Sequence, residues 1–365
     1  MMRLSTVSIP LGLAAVLALA ACETPEPALP QGYAPGQLPP QGYAPGQLPP
    51  QGQLPPQGYP QGQLPPQGQL PPQGQLPPQG YPPVVNDPIN DVDMAWLRAA
   101  AKGVLDELVA ALPPAAQARV RGVPFVPDPA VGEVNAYAAC DGQHMPLMAV
   151  TDGLLQIEAY IAQIEAIDEV FGTQKLDAYL RYVAQNQKPR QPIVAPPASF
   201  IEPVQHADYR KVVREHQLFE EQLAFVLGHE LGHHHLGHTG CANGQSGDRA
   251  PTIIDLGRAV NQVVPWTNQL NESYADIAGV NNLLTAGTRR GGRYHWTEGG
   301  AVLTLQFFAQ LEELHRVEPL SPEGLLSGYF QSHPDPAHDR LPGVRQAAAD
   351  WRARGGVAQY PPALP

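Results

Sequence analysis

From Glu23 to about Pro83 the chain repeats itself in a composition that cannot build a core. Gln-Gly-Tyr-Ala-Pro-Gly-Gln-Leu-Pro-Pro runs twice, at 31–40 and 41–50, and variants of Gln-Gly-Gln-Leu-Pro-Pro follow. Proline has no N–H to give a helix or ladder, glycine adds chain entropy, and core-forming side chains are few. The stretch reads as a disordered Pro/Gly/Gln-rich linker, residues 22–83, reaching ~190 Å if fully extended. Whatever folds must do so in the roughly 280 residues of 84–365, enough for one sizeable core.

Ahead of the linker, Arg3 and the apolar run Ile9–Ala21 have the form of an export signal over residues 1–21, too short to span a bilayer stably. The run ends in Leu19-Ala20-Ala21-Cys22, which resembles the bacterial lipobox, where cleavage precedes an acylated cysteine. Glu23 rather than Asp then implies, in a Gram-negative host, sorting to the outer membrane. No later segment is apolar enough to cross a membrane, so the expected attachment is through the lipid alone, in the periplasm. The linker serves as a tether, or as a ligand for an envelope partner through its tyrosines and prolines. A net charge of −12 without a Lys/Arg cluster argues against a nucleic-acid surface.

The periodicity after residue 84 is mainly helical, an α+β class with a small sheet or hairpin near 134–150. Helices are expected over Asp93–Leu112, from a cap at Asp152 to about Gln187, over Asp208–His238, and at about 268–285, 297–317 and 338–354.

Within the Asp208–His238 helix lies His229-Glu230-Leu-Gly-His233. Residues four apart share a helix face, so His229 and His233 can offer two imidazoles to one metal ion, with Glu230 beside them to take a proton from a water. Apolar neighbours bury the helix, and Gly228 and Gly232 are expected to leave room beside the metal. A third ligand after six residues, as in metzincins, is ruled out because Leu236 and Thr239 stand where glycine and histidine would be needed. Instead Glu272 opens another apolar helix and can supply a carboxylate, completing a three-ligand site for one Zn²⁺. Asp276, four residues on, faces the same side and can orient a ligand histidine. His234, His235 and His238 are assigned to surface or supporting packing, and His206, His216, His295 and His315 to structural or surface roles. With Cys22 acylated, Cys140 and Cys241 remain as an even pair in an oxidising compartment, and the expectation is a disulfide ahead of two free thiols or a thiolate zinc ligand.

Gly-His229-Glu230-Leu-Gly-His233 followed by Asn271-Glu272-x-x-Ala275-Asp276-x-x-Gly279 resembles the gluzincin family of the CAAX prenyl endopeptidases, HtpX and BepA-like periplasmic proteases. Val134–Ala138 through Thr151-Asp-Gly153 is similar to the family's strand segment, and Ser332-His333-Pro334-Asp335-Pro336 through Asp339-Arg340-Leu341 to its carboxy-terminal element. No tetratricopeptide-like repeats follow residue 354, and Ala139–Gln143 replaces the family's usual Pro-Gly-Gly-like turn. The resemblance implies a zincin-like metalloprotease domain that pairs a strand with unfolded or extended polypeptide. It also implies His333 and Arg340 as groups that stabilise the oxyanion or order the cleft, His333 alternatively capping the resting zinc. The implied function is a zinc endopeptidase that removes misfolded or misassembled envelope proteins. The alternatives are a chaperone-like or binding module with weak proteolysis and a cell-wall-associated hydrolase.

Overall fold

The computed structural model describes residues 83–363 apart from 85, 189–190, 243, 245–268, 292–293 and 318–339. The export signal, Cys22, most of the linker and His333 lie outside the described residues.

The described chain is mostly helical, with one small sheet. Helix α1, Met94–Ala111, starts where the Asp93 carboxylate accepts from the amides of Ala95 and Trp96, and α2, Pro114–Arg119, starts on a proline. Three strands follow: β1 Phe125–Asp128, β2 Ala136–Cys140 and β3 Pro146–Thr151. Buried β3 is central, parallel to β1 and antiparallel to β2, so β2 is an edge strand. Side chains alternate across the sheet. Ala136, Met148 and Val150 join the main core, while Tyr137, Ala139, Leu147 and Ala149 form a small cluster on the other face.

Thr151 ends β3 and begins α3, Asp152–Phe171, its hydroxyl accepting from Leu154 N at 3.2 Å. The cap is thus Thr151, one residue before the expected Asp152. The stretch expected to run unbroken to Gln187 stops at Gly172, whose φ of 68° turns the chain into the left-handed region. Asp168 then accepts from the amides of Lys175 and Leu176 and starts α4, Leu176–Asn186. After the short α5, Pro203–His206, comes α6, Tyr209–His235, capped by Asp208. Helices α7, Gln269–Thr288, α8, Gly299–Val317, and α9, Leu341–Ala353, complete the described elements.

Helix α6 runs through the middle, packed by α1, α3, α7, α8 and β2. Its approach to α7 is set by small residues. A Cβ on Gly228 would lie 3.2 Å from Gly279 O, and one on Gly279 would lie 2.9 Å from His229 N. A Cβ on Gly232 would meet Ala275 Cα and O at 3.3 Å. The room expected beside a metal is therefore filled by the α7 backbone. Gly279→Ala should cost about 1–3 kcal/mol by overpacking. Gly103→Ala in α1, where a Cβ meets nothing within 4 Å, should instead gain about 0.5–1 kcal/mol. Urea denaturation of the two variants reads both signs.

One buried carboxyl has no place in this packing scheme. Glu158 on α3 is fully buried, and neither side-chain oxygen finds a hydrogen-bond partner among the described residues. Burial raises its pKa well above the usual carboxylate range. The folded state therefore holds a proton that the unfolded chain releases. This contribution to stability is full below the unfolded pKa and falls as pH rises toward the folded one. Glu158→Gln should remove that slope, gaining about 1.4 kcal/mol per pH unit on the wild type above pH ~4.5. Thermal unfolding from pH 4 to 8 measures the divergence. Parallel curves would rule out a buried neutral acid.

Candidate metal centre

His229 and His233 are one turn apart on α6, with their Nε2 atoms 3.1 Å apart. The α6–α7 contact brings Glu272 to them, Oε2 at 3.3 Å from His229 Nε2 and Oε1 at 3.3 Å from His233 Nε2. Ligand bonds of about 2.0–2.1 Å at a tetrahedral ion place ligand atoms roughly 3.3 Å from one another. Two imidazoles and a carboxylate at these separations fit that requirement. Asp87, Glu215 and His216 also offer ligand atoms within 4.8 Å of one another. There, however, the buried ammonium of Lys211 pairs with Glu215 and already supplies the cation.

Behind His229, Asp276 Oδ1 lies 2.8 Å from Nδ1. Burial alone would raise the Asp276 pKa, but the Arg340 guanidinium and the His229 hydrogen bond lower it, keeping a carboxylate. Arg340, just ahead of α9, is buried and bidentate, donating Nε to Oδ2 at 2.9 Å and Nη2 to Oδ1 at 2.7 Å. These contacts turn the Arg340 guanidinium onto the carboxylate behind His229. Burial would lower the His229 pKa, yet hydrogen bonds to Asp276 and Glu272 lift it to about 9, so a bound metal ion competes with a proton.

Glu230 points the other way, toward the sheet. Its Oε2 accepts from Ala138 N of β2 at 2.7 Å, and its Oε1 is 3.9 Å from His229 Nε2. The Ala138 N–H thus points outward from the β2 edge, toward the ligand cluster. Cys140, at the end of β2, is disulfide-bonded to Cys241 with Cα atoms 6.1 Å apart, fastening the strand to the chain just past α6.

The remaining histidines separate by direction. His234 bonds Leu147 O of β3 at 2.9 Å and Thr239 Oγ1 at 3.0 Å, and burial lowers its pKa to about 4. His235 is buried edge-on against Tyr360, its ring centroid 5.3 Å away, and burial likewise lowers its pKa to about 4. Both belong to the interior, so the surface option for them is set aside. His238 Nδ1 lies 3.0 Å from His233 Nδ1. His216 pairs with Asp87 at 2.7 Å. The Ala138 amide was not identifiable from sequence, because a backbone N–H carries no residue signature. The break at Gly237 was the available signal for His238.

The sequence matches the model of Peptidase family M48 over residues 103–347, about two thirds of the chain. No curated protein and no solved structure matches it. Because the match takes in α6, α7 and the start of α9, the chain belongs to peptidase family M48 and is a metallopeptidase.

Proposed function

We propose that the protein is a zinc-dependent endopeptidase of the bacterial cell envelope that cuts extended stretches of misfolded or misassembled proteins. The observation that carries this is the position of Glu230, between the His229/His233/Glu272 cluster and the outward N–H of edge strand β2. His229, His233 and Glu272 would hold the ion. When bound, zinc supplies Lewis acidity that polarises a scissile carbonyl and lowers the pKa of a water.

Glu230 accepts the proton of the attacking water and returns it to the leaving amine. Its bond to Ala138 N holds the carboxylate against the strand, so the base and the strand edge keep a fixed relation. An extended polypeptide pairing with β2 aligns its backbone beside Glu230, a strand-addition mode that reads main chain more than side chains. Such recognition suits unfolded substrates. Asp276 and Arg340 keep the His229 ring oriented. The envelope assignment rests on the signal-like run before Cys22 and on the Cys140–Cys241 disulfide, a bond that persists in oxidising compartments.

Glu230→Gln should keep bound zinc, read by atomic absorption, and slow digestion of unfolded casein by about 10²–10⁴-fold. Undiminished digestion would remove Glu230 as the base. Cys22→Ala should release the protein from the membrane fraction and abolish labelling by a fatty-acid analogue. Persistent labelling of that variant would refute acylation at Cys22.

A further inference from the structure

We infer that His238 is a positioning residue that orients His233 and fixes its tautomer for metal binding through Nε2. The inference rests on the zinc-site reading above and extends it to a residue outside the ligand set.

The geometry is specific. His233 turns Nε2 toward His229 and Glu272, and its other ring nitrogen, Nδ1, lies 3.0 Å from His238 Nδ1. Two ring nitrogens at that distance bond only if one carries hydrogen and the other is bare. With Nε2 given to a metal, His233 must carry its proton on Nδ1 and donate it, so His238 Nδ1 accepts. His238 is then the neutral Nε2–H tautomer, its Nε2 being buried with no hydrogen-bond partner among the described residues. The rings meet edge-on, centroids 5.1 Å apart at 70°.

A helix alone would not give this pairing. Five residues on an α-helix turn about 140° past a full turn, which puts position 238 far from position 233. Helix α6 instead ends at His235 with Leu236 as its C-cap, and Gly237 at φ 83° reverses the chain. Gly237 N bonds His234 O and His238 N bonds His233 O at 2.9 Å, folding the histidine back onto the last turn. The turn is held on both sides, by the Thr239–His234 bond and by Cys241 in its disulfide.

The two ligand histidines are thus backed differently, His229 by a carboxylate and His233 by a neutral imidazole. A neutral acceptor orients the ring while adding no negative charge, so the ion's Lewis acidity is spared on that side.

The test uses the full-length protein, and its main readout is zinc affinity in competition with a chromophoric chelator. His238→Leu removes the acceptor and should weaken zinc binding by about 10–100-fold. His238→Asn places a side-chain oxygen near the Nδ1 position and should recover most of that loss. The visible spectrum of the cobalt-loaded protein should shift in the leucine variant and return in the asparagine variant. Wild-type affinity together with an unchanged cobalt spectrum in His238→Leu overturns the inference. Wild-type protein that takes up no zinc overturns the zinc reading itself, which is a different result. A variant-free check is the ¹⁵N spectrum of the histidines in the zinc-loaded wild type. His238 should show a bare Nδ1 and a protonated Nε2, and a protonated Nδ1 refutes the role.

Discussion

The close contact of α6 with α7 at Gly228 and Gly279 is the constraint from which the rest of the site follows. Neither position has space for a methyl group without moving backbone. On α6, Gly228 and Gly232 form one stripe, and His229 and His233 form the adjacent stripe about 100° around the helix. The first stripe admits the partner helix and the second faces the groove beside it. Glu272 and Gly279 are seven residues apart on α7, two turns along nearly the same face. The same contact that seats Gly279 on His229 therefore carries Glu272 to 3.3 Å from both imidazoles. Apolar packing sets the distance, and the polar groups then meet at it.

Charge burial explains how the arrangement is kept. Asp276 is almost wholly buried, and a lone carboxylate there would be costly to desolvate. Arg340 removes most of that cost through two hydrogen bonds, and in doing so ties the start of α9 to α7. Removing one member of a buried pair strands the other, a penalty of about 3–5 kcal/mol, so the pair constrains the geometry more than it adds net stability. His229 benefits because its Nδ1 partner cannot drift. The same principle disfavours the Asp87/Glu215/His216 group as a metal site, since Lys211 is already sealed in beside its carboxylates.

The helices and much of the cluster were legible in the sequence because they depend on local periodicity. His229 with His233 and Glu272 with Asp276 are both four-residue spacings, and a helix converts such spacings directly into shared faces. The features that escaped depend on chain reversals and on backbone groups. Gly172 sits inside an apolar stretch that reads as one helix, and only its left-handed φ shows the break. Pairing of β1 with β3 joins segments more than twenty residues apart, through main-chain bonds that local patterning does not encode. The sequence assigns His238 only to surface or supporting packing, and it is the turn at Gly237 that brings it back onto His233. Gly228 and Gly232 read in the sequence as room beside a metal, and the backbone of α7 takes that room because the sequence does not encode which helix packs there.

The sheet makes sense as a device for presenting one edge. Strand β3 is paired on both sides, by β1 in parallel and by β2 antiparallel, which leaves the outer rim of β2 to face α6. Two links outside the ladder hold that rim in place. His234 reaches from α6 to the β3 carbonyl of Leu147, and the Cys140–Cys241 bond joins the end of β2 to the chain beyond α6. A strand edge left to itself is prone to slip or to pair with other chains. Here its register is fixed against the helix that carries the histidines, so a peptide added to β2 would meet Glu230 at a set height. Two histidines outside the His229/His233/Glu272 cluster, His234 and His238, thus flank the site: one joins the sheet to α6, the other lies behind His233.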